Sequence, residues 1–143
     1  MTVLSSETLH ASSVSIDGRA VLIEGMSGSG KSDLAMRLID RGATLVSDDY
    51  TIVRRVDGKL LAVSPPNIAG LCEVRGVGLV AMPFESDVPV ALIVSTAELI
   101  QRLPGDATTR IVAGVKIPTA TVAPLEASAP IKVEMLLKTR GNP

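Results

Sequence analysis

The chain has no tryptophan, one tyrosine (Tyr50) and one phenylalanine (Phe84). Its core must therefore be aliphatic, and stacking platforms for bases or sugars are nearly absent. A single cysteine, Cys72, excludes an internal disulfide, and with His10 as the only histidine no thiol–imidazole cluster is available for zinc. This usage fits a reduced, cytoplasmic setting. Fourteen Lys and Arg against fifteen Asp and Glu leave a formal charge of −1. That balance gives no basic field for nucleic acid and no polybasic patch for a membrane, so any phosphate recognition must be local. The opening MTVLSSETLHASSVSID lacks both a basic n-region and a continuous apolar run, so neither a signal peptide nor a membrane span is expected.

What is present suffices for one α/β domain: 143 residues with 46% hydrophobic content can bury a sizeable core but are too few for two ordinary domains. The expectation is a single domain over residues 1–143. In SSETLHASSVSIDGRAVLIEG, Val14 and Ile16 alternate with Ser13, Ser15 and Asp17, and Asp17-Gly18 marks a turn before the apolar run Ala20 to Ile23. The segment reads as two strands, the second central and buried. Leu34 with Leu38 and Ala35 with Ile39 repeat at i and i+4, predicting a helix from Lys31 to Arg41 that Gly42 ends. ATLVSDD reads as a short strand with Asp48 and Asp49 at its C-terminal edge, and the strand–loop–helix–strand spacing predicts parallel neighbours. YTIVRRVDGKLLAVS reads as a hairpin turning at Asp57-Gly58, while Gly78 to Met82 and VPVALIVS read as strands. Leu99 to Leu103 reads as helix, Ile117 to Pro130, with its three prolines, as an extended loop, and Ile131 to Lys138 as strand or helix.

Gly25, Gly30, Lys31 and Ser32 complete the pattern G-x-x-x-x-G-K-S/T, with Met26, Ser27, Gly28 and Ser29 between them. In such a loop the glycines let backbone N–H groups wrap a phosphate and the helix N-terminus adds partial positive charge. The lysine reaches the β/γ oxygens and the serine hydroxyl can ligate Mg²⁺. Asp48-Asp49 supplies what phosphoryl transfer needs besides a cradle, a carboxylate for the metal and one to take a proton. Alone, the pair reads equally as the start of a turn. Glu73 and Arg75, two apart in CEVRGVG, share a side if the backbone is extended, although a surface ion pair explains them too. His10 and Arg102 are open to incidental readings when each is taken by itself.

Together these residues carry a resemblance. GMSGSGKSDLAMRLIDRGATLVSDD followed by CEVRGVGLV resembles the catalytic domain of HPr kinase/phosphorylase, whose phosphate loop and helix lead to RG…LV-x-DD and then to E-x-R-G-x-G. The likeness extends from about Leu9 to about Pro118, and the ordered combination is far more specific than the loop. It implies a P-loop-containing, phosphoenolpyruvate-carboxykinase-like α/β fold, a mixed sheet with few helices. It also implies ATP- and Mg²⁺-dependent phosphorylation of a serine on an HPr-type phosphocarrier protein by a cytoplasmic homo-oligomer.

Carried over by position, the family's active-site histidine falls on His10 and its loop lysine on Lys31. Ser32 matches the metal-binding serine, Asp49 the base toward the target serine with Asp48 beside it, Glu73 a second metal ligand, and Arg102 an arginine that meets the transferring phosphoryl charge. The chain is also expected to depart from the family: it is read as a short form without the separate N-terminal domain, and a histidine common after the helix is Ala43. The V-R-P-G-R-N loop used for dephosphorylation corresponds to Pro124 through Ala129, with neither arginine kept. The expectation is a kinase with weak or absent phosphorylase activity, and any C-terminal helix that the family uses to grip its partner is expected to be short or missing. Two rivals share the loop: a small-molecule kinase, which lacks support in an arginine-rich lid segment, and a nucleotide-sensing module without turnover. The retention of Asp48, Asp49, Glu73 and Arg102 argues against the sensor.

Overall fold

The computed structural model describes residues 5–26, 28–96 and 108–143, and the structure below is that of these residues. The N-terminal half contains β1 (Ser6–Leu9), β2 (Ala11–Ile16), β3 (Arg19–Glu24), α1 (Lys31–Asp40), β4 (Thr44–Ser47), β5 (Thr51–Val56) and β6 (Lys59–Val63). A 3-10 turn at Pro66–Ile68 precedes β7 (Leu71–Val74), β8 (Gly78–Ala81), β9 (Val88–Thr96), β10 (Thr108–Val112), β11 (Val115–Val122) and α2 (Ala129–Arg140).

Most strands form one mixed sheet in the order β1-β5-β6-β9-β3-β2-β4, with β11 and then β10 attached to β9, while β7 and β8 form a separate hairpin. Among the described strands only β3, β9 and β11 pair in parallel. β9 can serve three neighbours because it is nine residues long: Val88 and Pro89 meet β6, Val90 to Ser95 meet β3, and Ile93 to Thr96 meet β11. A register break beside Ala91 puts Ala91 and Leu92 on the same side of the sheet.

Each face of the sheet carries an aliphatic cluster. Val21, Ile23, Leu92 and Val94 pack against Leu34, Ala35 and Leu38 of α1 and Val133 and Leu137 of α2. Leu22, Val53, Leu60, Ile93 and Ile117 fill the opposite face. The i, i+4 stripe read from the sequence is therefore the buried face of α1. Gly42, at φ 114°, lets Ala43 N–H reach Leu38 O at 3.0 Å and Gly42 N–H reach Ile39 O at 3.0 Å, which stops the helix with its last carbonyls bonded. The turns at Asp17-Gly18 and Asp57-Gly58 both take the paired positive φ of tight hairpins.

Four expectations need correction. The segment before the glycine loop holds three strands, because the chain breaks at His10 and β1 leaves to pair with β5. β3 and β4 run the same way but are not neighbours: β2 lies between them, antiparallel to both. Ile117 to Pro130 is not a loop throughout, since β11 continues to Val122 and α2 has begun at Ala129. Pro118 is tolerated because pairing with β9 starts only at Thr119, so no bond of that ladder needs its missing N–H. Arg75 lies in the turn after β7, not in extended chain beside Glu73. Ile131 to Lys138 resolves as helix within α2, and the expected helix from Leu99 to Leu103 falls outside the described residues.

Candidate functional site

The C-terminal ends of β3 and β4 meet the N-terminus of α1 at one edge of the sheet. Glu24, the last residue of β3, is gripped by both terminal nitrogens of Arg110 from β10, at 2.7 and 2.8 Å, which anchors the chain where the glycine loop begins. At Gly25 a Cβ would lie 2.0 Å from Thr96 Oγ1 and 2.5 Å from Ser29 Oγ. Ser29 N–H closes the loop onto Met26 O at 3.0 Å, and Gly30 turns into the helix at φ 100°. Among the described residues no side chain caps α1, so its first amides have no side-chain acceptor there. Ser29 Oγ is likewise buried without a hydrogen-bond partner among the described residues. Lys31 is only 4% exposed; its Nζ donates to Met26 O at 3.3 Å and lies 3.9 Å from Asp49 Oδ1. Helix amides without a side-chain cap, an orphaned hydroxyl and a buried ammonium at the end of a glycine loop suit an anion with several oxygens.

The acidic side of the site depends on a kink. Tyr50 N–H donates to Asp48 O at 2.7 Å, closing a three-residue turn with Asp49 at its centre at φ 65°. A non-glycine residue so placed carries strain on the order of 1–3 kcal/mol. In an unbent strand successive side chains leave from opposite faces, whereas here both acids serve one site. Asp48 is buried, and its Oδ1 accepts from Ser32 Oγ at 2.6 Å and Ser12 Oγ at 3.1 Å, while Oδ2 accepts the Glu73 N–H at 2.9 Å. Asp49 Oδ1 accepts from His10 Nε2 at 2.8 Å, and the His10 ring stacks on Tyr50 with centroids 4.9 Å apart.

These groups open onto a cavity of about 1000 Å³ whose walls include Lys31, Ser32, Asp48, Asp49, Glu73 and Arg75. The β7–β8 turn forms one side, and Leu125, 3.0 Å from where a Gly30 Cβ would stand, forms another. Arg37 holds Leu125 in place by donating to the Pro124 and Glu126 carbonyls, with Asp33 bonded to its Nε. Cys72, behind the acids, is buried; desolvation first, then the charges of Asp48 and Glu73, push its thiol up to about 11.

His10, Gly25, Gly28, Ser29, Gly30, Lys31, Ser32, Asp48, Asp49 and Glu73 thus gather at one edge. Met26 belongs to the same loop, but its side chain is 83% exposed. Ser27 and Arg102 lie outside the described residues. Among the described residues no three His, Cys, Asp or Glu side chains cluster as a ready-made metal site. A magnesium ion needs no such cage: one or two carboxylates and a hydroxyl complete its octahedron with water and phosphate oxygens, and Ser32, Asp48 and Glu73 are donors of that kind. Sequence reasoning missed Ser12, Tyr50 and the Glu24–Arg110 pair; the only signal for Ser12 was a polar residue in a strand later found covered on both sides.

Residues 2–135 match the family described as HPr Serine kinase C-terminal domain. The chain is 40% identical over 101 residues to the HPr kinase/phosphorylase of Clostridium tetani, a stretch covering 70% of this chain and 33% of that protein. It is 45% identical over 78 residues to the HPr kinase/phosphorylase of Clostridium beijerinckii, covering 54% of this chain and 26% of that one. The chain thus spans about a third or less of the length of these relatives. The structure of the Hpr(Ser) kinase/phosphatase from Coxiella burnetii superposes with a TM-score of 0.80 at 27% identity, covering 92% of this chain and 94% of that one. No helix among the described residues is long and apolar enough to cross a membrane.

Proposed function

The chain belongs to the HPr serine kinase C-terminal domain family, and on that premise we propose that it is an ATP-dependent protein-serine kinase acting on an HPr-type phosphocarrier protein. The observation that carries this reading is the meeting of Lys31, Ser32, Asp48 and Asp49 around one cavity at the end of the glycine loop. Residues 1–143 are read as one catalytic domain of phosphoenolpyruvate-carboxykinase-like fold, working as a cytoplasmic homo-oligomer.

In this reading Gly25 to Ser32 form the phosphate cradle, and the buried Lys31 neutralises charge on the β- and γ-phosphates of ATP. Ser32 and Glu73 would hold Mg²⁺, with Asp48 accepting the Ser32 O–H hydrogen bond and so aiming the hydroxyl's lone pairs outward. Bound Mg²⁺ supplies charge neutralisation on the phosphate oxygens. Asp49 takes the proton of the acceptor serine as the serine oxygen bonds to the γ-phosphorus and the bond to the β-phosphate oxygen breaks, leaving ADP. His10 orients Asp49, and Arg102 meets the developing charge.

Phosphorylase activity is read as weak or absent. The chain places Leu125 beside the glycine loop, and the Arg37 guanidinium is already engaged by Asp33 and two carbonyls.

Incubation with labelled ATP and Mg²⁺, with and without an HPr-type carrier, tests the proposal. Label on a carrier serine is expected. Nucleotide binding without product would favour a sensor module, and label on a metabolite a small-molecule kinase.

A further inference from the structure

A single hydroxyl on β2 touches both aspartates. Ser12 is 0% exposed; its Oγ donates to Asp48 Oδ1 at 3.1 Å and accepts the Asp49 N–H at 3.0 Å. A hydroxyl has one proton and two lone pairs, so both bonds form together. They bridge the two residues between which the chain kinks: Asp49 stands at φ 65° and Tyr50 N–H returns to Asp48 O. Without that kink the Asp48 carboxylate on Ser32 and the Asp49 carboxylate on His10 would point to opposite faces.

We infer that Ser12 is a positioning residue for phosphoryl transfer, which holds the Asp48–Asp49 turn so that one acid meets the Ser32 hydroxyl and the other meets the acceptor's proton. This rests on the kinase reading above. Ser12 touches no reacting atom; it acts through the two acids. Its Asp48 bond ends on the same Oδ1 that Ser32 uses, so Ser12 is a second donor fixing that oxygen.

β2 supplies its own control. Ser13 Oγ bonds to Thr51 Oγ1 at 2.8 Å, and Thr51 in turn donates to Ala11 O, so that pair ties β2 to β5 and reaches neither acid. Ser15 is also buried, at 3% exposed, and its Oγ has no partner among the described residues. Removing the Ser15 hydroxyl therefore makes the same chemical change in the same strand without touching the turn.

The experiment compares Ser12→Ala, Ser12→Thr and Ser15→Ala in the full chain. Ser12→Ala is expected to lower kcat by about 10- to 100-fold while KM for ATP changes less than about threefold, because the acids are misplaced and the cradle is not. Ser12→Thr, which keeps the hydroxyl, recovers most of that loss, and Ser15→Ala keeps kcat within about twofold of the parent. A readout free of turnover comes from His10, the only histidine. Its ring resonances in NMR shift in Ser12→Ala, as Asp49 leaves it, and stay in place in Ser15→Ala. Equal kcat in Ser12→Ala and the parent, or equal losses in Ser12→Ala and Ser15→Ala, would overturn the inference. A parent that labels no carrier would sink the kinase reading; the His10 resonances would still decide whether Ser12 holds the turn, and unmoved resonances would reject it.

Discussion

Gly25 and Thr96 stand so close that a Cβ on Gly25 would come within 2.0 Å of Thr96 Oγ1. The two residues close the parallel pair β3–β9, and the glycine loop leaves the sheet at this contact. Gly25 has no positive φ, so alanine is allowed there by its backbone and excluded by space. Gly25→Ala is expected to cost about 1–3 kcal/mol by overpacking, read as a lowered Tm. Because the relief must come from moving the loop, nucleotide affinity measured by titration calorimetry falls at least about tenfold. Adding Thr96→Ala removes one of the two clashes and leaves Ser29 Oγ at 2.5 Å, so the double variant recovers part of the Tm. Full retention of affinity in Gly25→Ala would show that the cradle lies elsewhere.

Asp49→Asn keeps the size of the side chain and removes its ability to take a proton. Transfer to the carrier is expected to fall by about 10²- to 10⁴-fold, while ATP binding stays within about threefold. The separation follows from the proposed roles: Asp49, bonded to His10 at 2.8 Å, meets the acceptor's proton, whereas the glycine loop holds the phosphates. Phosphorylation of the carrier at the normal rate by this variant would remove Asp49 from the role of base.

What the sequence revealed and what it hid divide along a physical line. The β3–loop–α1 unit was legible because each of its signals is local: an apolar run, a glycine pattern, an i, i+4 stripe and a glycine at the helix stop. Asp48 and Asp49 could be placed near the loop for the same reason. Strand order is not local, and nothing within β2 announces that it inserts between β3 and β4. Pro118 misled because a proline argues against a strand only where its missing N–H is needed, and the start of the β9 ladder is set by a partner far away in sequence. Ser12 stayed hidden because β2 is covered on both faces, so alternation of serine and valine no longer separates core from surface. Arg102, raised only by the family resemblance, falls outside the described residues.

The wall beside the glycine loop makes a prediction about direction. Leu125 presents an apolar side chain beside Gly30, and the Arg37 guanidinium nearby is engaged by Asp33 and the Pro124 and Glu126 carbonyls. Given a serine-phosphorylated carrier and inorganic phosphate, the parent protein is expected to remove label slowly or not at all. Leu125→Arg puts a cation beside Gly30 and should raise that phosphate-dependent loss at least about threefold while changing the forward rate less. A parent that dephosphorylates the carrier as fast as it phosphorylates it would contradict the reading of this wall.

Cys72 reports on the acids from behind. Its burial, with the charges of Asp48 and Glu73 adding to it, raises the thiol from about 9 to about 11, so at pH 8 the folded protein carries almost no thiolate. Reaction with a disulfide reagent at pH 8 should therefore be at least about 100-fold slower in the folded protein than in denaturant, since access and ionisation both oppose it. The sign for stability follows from proton counts. Below pH 9 the thiol is protonated in both states and contributes nothing to pH dependence. Between about 9 and about 11 the unfolded chain has lost the proton that the folded chain keeps, so this group lowers stability as pH rises through that window. Cys72→Ser removes a thiol whose titration differs between the two states, and the fall in Tm from pH 9 to 11 should be shallower in that variant than in the parent. An identical slope would mean that the thiol titrates alike in the folded and unfolded chains.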